Sequence, residues 1–294
     1  MKILSKHPNL AVIFASFFWG TYWIPLRSIN QDSDKSVWPL ALSFLLVSII
    51  LFKPLITSVK KQIHNKDLYF ILGNISSALA IALYSESLLR GEIAKVVLLF
   101  YLCPIWGTIL AKIVLHQSFN MQRYLSLILG IIGLEIILKI DKGIFFPTIL
   151  VEWMALSAGF TWALGMTFFH LSKTTKEIEK TSCTSLLIPI FFLFLALIPG
   201  GRETEIVNIN FSSNILLLWI VLFAIIWLLP SIFLTYISVE ILDPGRINIL
   251  LMFEVIIGIT TAAILTNEVI GLREIIGAIF IISAGAIELI KIKT

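Results

Sequence analysis

The sequence predicts an all-α integral membrane protein of ten transmembrane helices, arranged as two inverted five-helix repeats over residues 1–142 and 143–294. Three observations carry that prediction. First, 58% of the 294 residues are hydrophobic and 14% are charged, and the mean hydropathy is +0.98. Soluble domains average about 45–50% apolar and about 25% charged, and a globule of this length cannot hide so much apolar surface from water. Second, apolar runs close to the roughly 20 residues needed to cross a bilayer recur along the whole chain. Third, the two halves resemble each other.

The predicted spans are 8–27, 36–53, 68–87, 93–115, 122–139, 150–170, 182–199, 214–238, 245–266 and 271–290. The first follows Lys2 and Lys6 and runs on through FFWGTYWIPL without a small-residue cleavage site, so it reads as a membrane helix rather than a cleaved signal. Arg90-Gly91-Glu92 makes a tight turn between the third and fourth spans. Asn267-Glu268 and Arg273-Glu274 separate the ninth from the tenth. The polar connections near 28–36, 54–67 and 200–213 are too short to hold a soluble core. With the spans alternating in direction, 14 of the 22 Lys and Arg fall on one side, which places both termini in the cytoplasm and fits a bacterial inner membrane. Orientation accounts for the pI near 9.0, and no basic stripe points to nucleic acid.

An offset of 151 residues lays Lys95 on Arg246, Gly107 on Gly258, Gln117 on Glu268 and Glu92 on Asp243. Earlier in the halves, an offset of 143 lays Trp19-Gly20 on Trp162-Ala163. Five helices per repeat is an odd number, so the halves insert with opposite orientations, a plan in which substrate sits near the midplane between them.

The motif Phe17-Phe-Trp-Gly-Thr-Tyr22 and the stretch Phe100-Tyr-Leu-Cys-Pro104, followed by His116-Gln117, resemble the EamA-like branch of the drug/metabolite transporter superfamily. Asn267-Glu268 fills the corresponding place in the second half. The resemblance spans nearly the whole chain and implies ten helices in two EamA-like repeats, with export or uptake of amino acids, related metabolites or toxic amphiphiles. Gln117 departs from the acidic residue usual in the first half, Val255 stands where the first half has Pro104, and Glu254 is not a general feature of the family.

Charges inside the membrane are costly, about 2.5–3.5 kcal/mol at a helix centre on insertion scales, and mark candidate sites. Glu254 ranks first. It lies about 13 Å into the ninth span at 1.5 Å per residue, close to the midplane. Its neighbours on the same helix face, Leu250, Leu251, Ile257 and Gly258, offer no counter-charge, so its partner must be another helix, a bound cation or a proton. Trp19, Tyr22, Tyr101, Trp106 and Trp162 are the aromatic candidates that would box a substrate beside it through their ring faces. Glu86, four residues before Arg90, reads either as a solvated ion pair or as a gate. Lys95 and Arg246 open the fourth and ninth spans as matched gate charges, with Glu92 and Asp243 to compensate them. Pro104 and Gly258 are the expected flexing points. Lys112, Glu135 and Glu288 are discounted as charges close to helix ends.

No phosphate-binding, HExxH or GxSxG motif is present, Cys103 and Cys183 have no metal spacing, and neither a cofactor nor a metal is expected. The expectation is a secondary carrier of an amino acid or organic cation, working by alternating access with proton exchange at Glu254. The alternatives are a membrane-embedded enzyme acting on lipid-linked substrates, and a non-transporting channel or scaffold. The expected partners are the small-molecule substrate, the lipid bilayer and protons, and a homodimer stays open.

Overall fold

The computed structural model describes residues 7–32, 36–91, 93–118, 121–137, 147–172, 175–197, 214–266 and 271–289. Among them the regular structure is helical throughout. The first predicted span is two helices, α1 (Pro8–Gly20) and α2 (Trp23–Asp32), separated at Thr21-Tyr22. Next come α3 (Trp38–Ile50), α4 (Phe52–Asn65) and α5 (Leu68–Arg90). Asp67 starts α5 by accepting the Phe70 N–H at 3.1 Å. The fourth span is divided into α6 (Ile93–Phe100) and α7 (Cys103–Ile113), and α8 (Met121–Ile137) follows. The second half holds α9 (Leu150–Leu171), α10 (Glu177–Ala196), α11 (Asn214–Leu222), α12 (Leu229–Ser238), α13 (Pro244–Leu251), α14 (Phe253–Thr266) and α15 (Leu272–Leu289). A π-helical turn, Phe223–Leu228, joins α11 to α12. Pro230 has no N–H for the Ile226 carbonyl, a standard cause of such a widened turn.

Among the described residues, seven helical stretches are long and apolar enough to cross a membrane, and an eighth qualifies if α3 and α4 count as one. Those two meet at 78°, so the stretch expected as a polar connection at 54–67 is an amphipathic helix at a sharp angle to the second span. At the fifth and tenth predicted spans, α8 is only 17 residues long and α15 carries Arg273, Glu274 and Glu288. They pack along each other, so each covers much of the other's polar content.

The helices pair in a definite pattern. α5 lies along α9, and α1 along α12. α6 and α7 lean on α9, while α13 and α14 lean on α1. α3 packs on α10, α7 on α13, and α8 on α15. A single apolar core runs through all of these contacts. Where α1 crosses α14 the backbones nearly touch: a Cβ on Gly20 would sit 2.6 Å from the Glu254 carbonyl oxygen and 2.7 Å from Ile257 Cβ.

Ion pairs tie the helix ends. Arg123, in the first turn of α8, is 8% exposed and bonds Asp243 through both terminal nitrogens, at 2.7 and 2.9 Å. It also reaches Glu288 near the end of α15, at 2.8 Å. Glu288 is therefore a buried partner of Arg123, which corrects its dismissal as a helix-end charge. Asp243 caps α13 by accepting the Arg246 N–H at 3.0 Å. Around the start of α10, Lys61 bonds Glu179 and Lys180 bonds Glu240, both at 2.7 Å. Burial acts to raise the Asp243 carboxyl, but the Arg123 guanidinium outweighs it and holds the group below the usual carboxylate range.

Two predictions follow from this packing. Gly20→Val is expected to destabilise the protein by about 1–3 kcal/mol through overpacking, read as a lower Tm in detergent. Arg123→Met leaves two buried carboxylates without their cation and is expected to cost about 3–5 kcal/mol at neutral pH, with the loss shrinking as acid protonates them. In the wild type, the Asp243 contribution is full above the ordinary carboxylate range and disappears as pH falls through its lowered folded value. Thermal melts across pH check both signs.

Candidate functional site

Three helix breaks meet in the middle of the bundle. Pro104 lacks an N–H for the Phe100 carbonyl, so α6 stops at Phe100 and α7 restarts at Cys103. The freed Phe100 carbonyl faces Gly159 of α9, in a gap too narrow for any side chain there. In the ninth span the break falls at Met252. The carbonyls around it are taken up by other helices: Tyr101 OH donates to Leu251 O at 3.1 Å, and Ser16 Oγ to Leu250 O at 3.3 Å. The third break, at Thr21-Tyr22, follows Gly20, the residue after Trp19.

Between these breaks lies a small pocket lined by Trp19, Ala80, Ile81, Tyr84, Phe100, Trp162, Leu251 and Glu254. Glu254 sits in the first turn of α14, where the helix dipole favours an anion. Its carboxyl accepts a hydrogen bond from Tyr84 OH at 3.4 Å, and the Tyr101 hydroxyl reaches it as well. The residue is 8% exposed. Tyr84 stacks on Phe100 with ring centroids 4.1 Å apart.

Trp19 and Trp162 meet edge to face, 5.9 Å between centroids. Each indole N–H is tied back: Trp19 donates to Thr235 Oγ1 at 3.3 Å and Trp162 to Asn248 Oδ1 at 3.1 Å. Asn248 Nδ2 in turn donates to Cys103 O at 3.1 Å, so one amide links α9, α13 and the start of α7. With their polar edges occupied, the two indoles give the cavity apolar ring surface. The site sets one carboxylate among several rings, chemistry that suits a proton or a cationic group. Among the described residues no cluster of His, Cys, Asp and Glu could bind a metal.

The structure brings together part of the expected set. Glu254, Trp19 and Trp162 line the cavity, and Tyr101 lies behind it, bonded to the broken helix. Tyr22 is one layer back, against Trp19 at 5.3 Å and hydrogen-bonded to Ser85 at 2.7 Å. Trp106 is elsewhere: it is half-buried against Phe160, itself exposed, and does not line the cavity. Glu86 is 1% exposed, so it is not a solvated residue at the mouth.

Lys95 pairs with Glu152 at 2.6 Å, whereas Glu92, the partner expected for it, lies outside the described residues. Arg246 Nε donates to Asn9 Oδ1 at 3.1 Å, and the carboxylate of Asp243 is engaged by Arg123. Pro104 stands at a real break. Gly258 does not: the ninth span breaks at Met252, and Gly258 packs on the Gly20 backbone inside α14. Sequence reasoning missed Tyr84, Phe100 and Asn248. Asn248 carried a signal, as a buried amide six residues before Glu254 in the same apolar run; nothing in the sequence joins Tyr84 to a residue 170 positions away.

No curated protein matches the sequence. A solved structure described only as a crystal structure of a protein aligns over 97% of this chain and 96% of its own, with a TM-score of 0.73 and 12% identity, a likeness that shows the fold alone. The model of the EamA-like transporter family matches residues 8–139. That stretch of the chain is similar to the EamA-like transporter family of the drug/metabolite transporter superfamily.

Proposed function

We propose that this protein is a secondary transporter that carries a small cationic or amino-acid-like metabolite by alternating access, with Glu254 exchanging a proton for the substrate. The observation that carries the proposal is a carboxyl held with aromatic rings in a cavity at the meeting point of three broken helices. Broken spans at membrane depth are tolerated only where protein or a cavity satisfies the freed backbone, and in carriers they mark binding sites. An enzyme on lipid-linked substrates would need paired polar groups at one depth, and the cavity lining offers a single carboxylate.

Ten spans in two inverted repeats fit the helix pairing. Exchanging the halves turns the α5–α9 contact into α12–α1, and the α7–α9 contact into α14–α1. Contacts α3–α10 and α8–α15 map onto themselves. Trp19 and Trp162, matched by the 143 offset, meet at the cavity. The same offset takes Asn9 to Glu152, while 151 takes Lys95 to Arg246, so the Lys95–Glu152 and Arg246–Asn9 contacts are equivalents. They clasp opposite mouths, one ionic and one polar. Alternating access opens one clasp while the other stays shut, and both termini lie on the cytoplasmic side, with Arg246.

In liposomes the protein is expected to move radiolabelled amino acids or quaternary amines with a pH gradient setting the direction. Glu254→Gln is expected to abolish the response to the gradient while leaving the Tm near that of the wild type. Normal gradient-driven flux in that variant would overturn the coupling role. Trp19→Leu and Trp162→Leu remove ring faces worth about 0.5–2 kcal/mol each, so substrate binding is expected to weaken by about 2- to 30-fold. Asn248→Leu unties Trp162 and removes the amide's bond to the Cys103 carbonyl; a loss of about 1–3 kcal/mol is expected in thermal unfolding.

A further inference from the structure

The sharp turn after the second span has a use that transport does not explain. α4 leaves α3 at 78° and runs for 14 residues. Phe52, Ile56, Val59 and Ile63 recur at helical spacing along one face and are all exposed, Ile63 at 73%. The opposite side meets the bundle: Ser58 is buried and bonded to Cys183 Sγ at 3.1 Å, and Lys61 reaches Glu179. Lys53, Lys60 and His64, seven and four residues apart, fall on a third face, exposed and turned away from the bundle. Lys66 closes the helix, also exposed. Residues 52–66 contain four lysines and no Asp or Glu.

A helix continuous with a membrane span, bent nearly square to it and carrying an apolar stripe edged by uncompensated lysines, matches an anionic lipid leaflet in both shape and charge. We propose that α4 lies in the membrane interface and binds anionic phospholipid, with Phe52, Ile56, Val59 and Ile63 set among the acyl chains and Lys53, Lys60 and Lys66 on the headgroup phosphates. Water is the wrong solvent for that stripe. The charge pattern selects the lipid, since each lysine near an anionic surface strengthens binding by roughly fivefold. Glu179 holds Lys61 on the bundle side and so fixes the roll of α4, which keeps the apolar stripe and the free lysines facing lipid.

The test is hydrogen–deuterium exchange of the full chain in nanodiscs of phosphatidylcholine alone and of phosphatidylcholine mixed equally with phosphatidylglycerol. Amides of 52–65 are expected to exchange at least about fivefold more slowly in the mixed lipid, with the difference shrinking as salt screens the contacts. Lys53→Gln, Lys60→Gln and Lys66→Gln together are expected to erase the difference without changing exchange in α5. Ile56→Ser with Ile63→Ser is expected to speed exchange in both lipids. Equal protection in the two lipids, or a difference that survives the lysine changes, would overturn the proposal. So would protection that depends on the number of copies per nanodisc, which would make a second chain the occupant. None of these readouts involves flux, so they stand or fall apart from Glu254.

Discussion

A broken helix in a bilayer leaves carbonyls that no lipid can satisfy, and most of this structure's central features answer to that constraint. Leu251 O is taken by the Tyr101 hydroxyl and Leu250 O by Ser16, while the Phe100 carbonyl is packed against a glycine. Every one of these partners comes from a different helix than the carbonyl it serves, or from across a break. The breaks therefore cannot exist without the neighbouring helices, and the neighbouring helices are held in register by the breaks. The cavity is what remains between them once those contacts are made.

The same contacts fix the chemistry of the cavity wall. An indole or phenol in hydrocarbon needs somewhere to put its polar edge. Here Thr235, Asn248, Ser85 and Leu251 O receive those edges on the side away from the cavity. What faces inward is ring surface, a few aliphatic side chains, the Tyr84 hydroxyl and one carboxyl. On the proposed function, a substrate that brings its own positive charge would meet the site with the least desolvation left unbalanced.

How far the sequence reveals this depends on the range of the physics. Composition and run length are properties of the whole chain in lipid, and the membrane class follows from them. The depth of Glu254 needs only the helical rise, and Pro104 announces a break by its chemistry. Other features depend on long-range packing. The break at Met252 has no proline, and Gly258, a plausible hinge by composition, is instead the place where α14 meets the Gly20 backbone. Glu288 looked like a helix-end charge because its partner Arg123, across 165 residues, is legible only once α8 and α15 lie together. α4 was lost for a different reason: four lysines lowered its hydropathy, although the 52, 56, 59, 63 spacing was there to be read.

The two halves match in their tryptophans and in their clasps but not in their charge. The 151 offset that takes Lys95 to Arg246 takes Cys103 to Glu254. Both positions lie at a helix break and both are buried. One half thus supplies a thiol and the other a carboxyl at equivalent places. A second carboxyl at Cys103 would set two like charges in one small apolar cavity, where repulsion is strongest. Under the proposed exchange, a proton and a cationic substrate would compete for the oxygens of this one carboxyl, and that competition would couple them. The offsets that match the tryptophans around it do not match its charge.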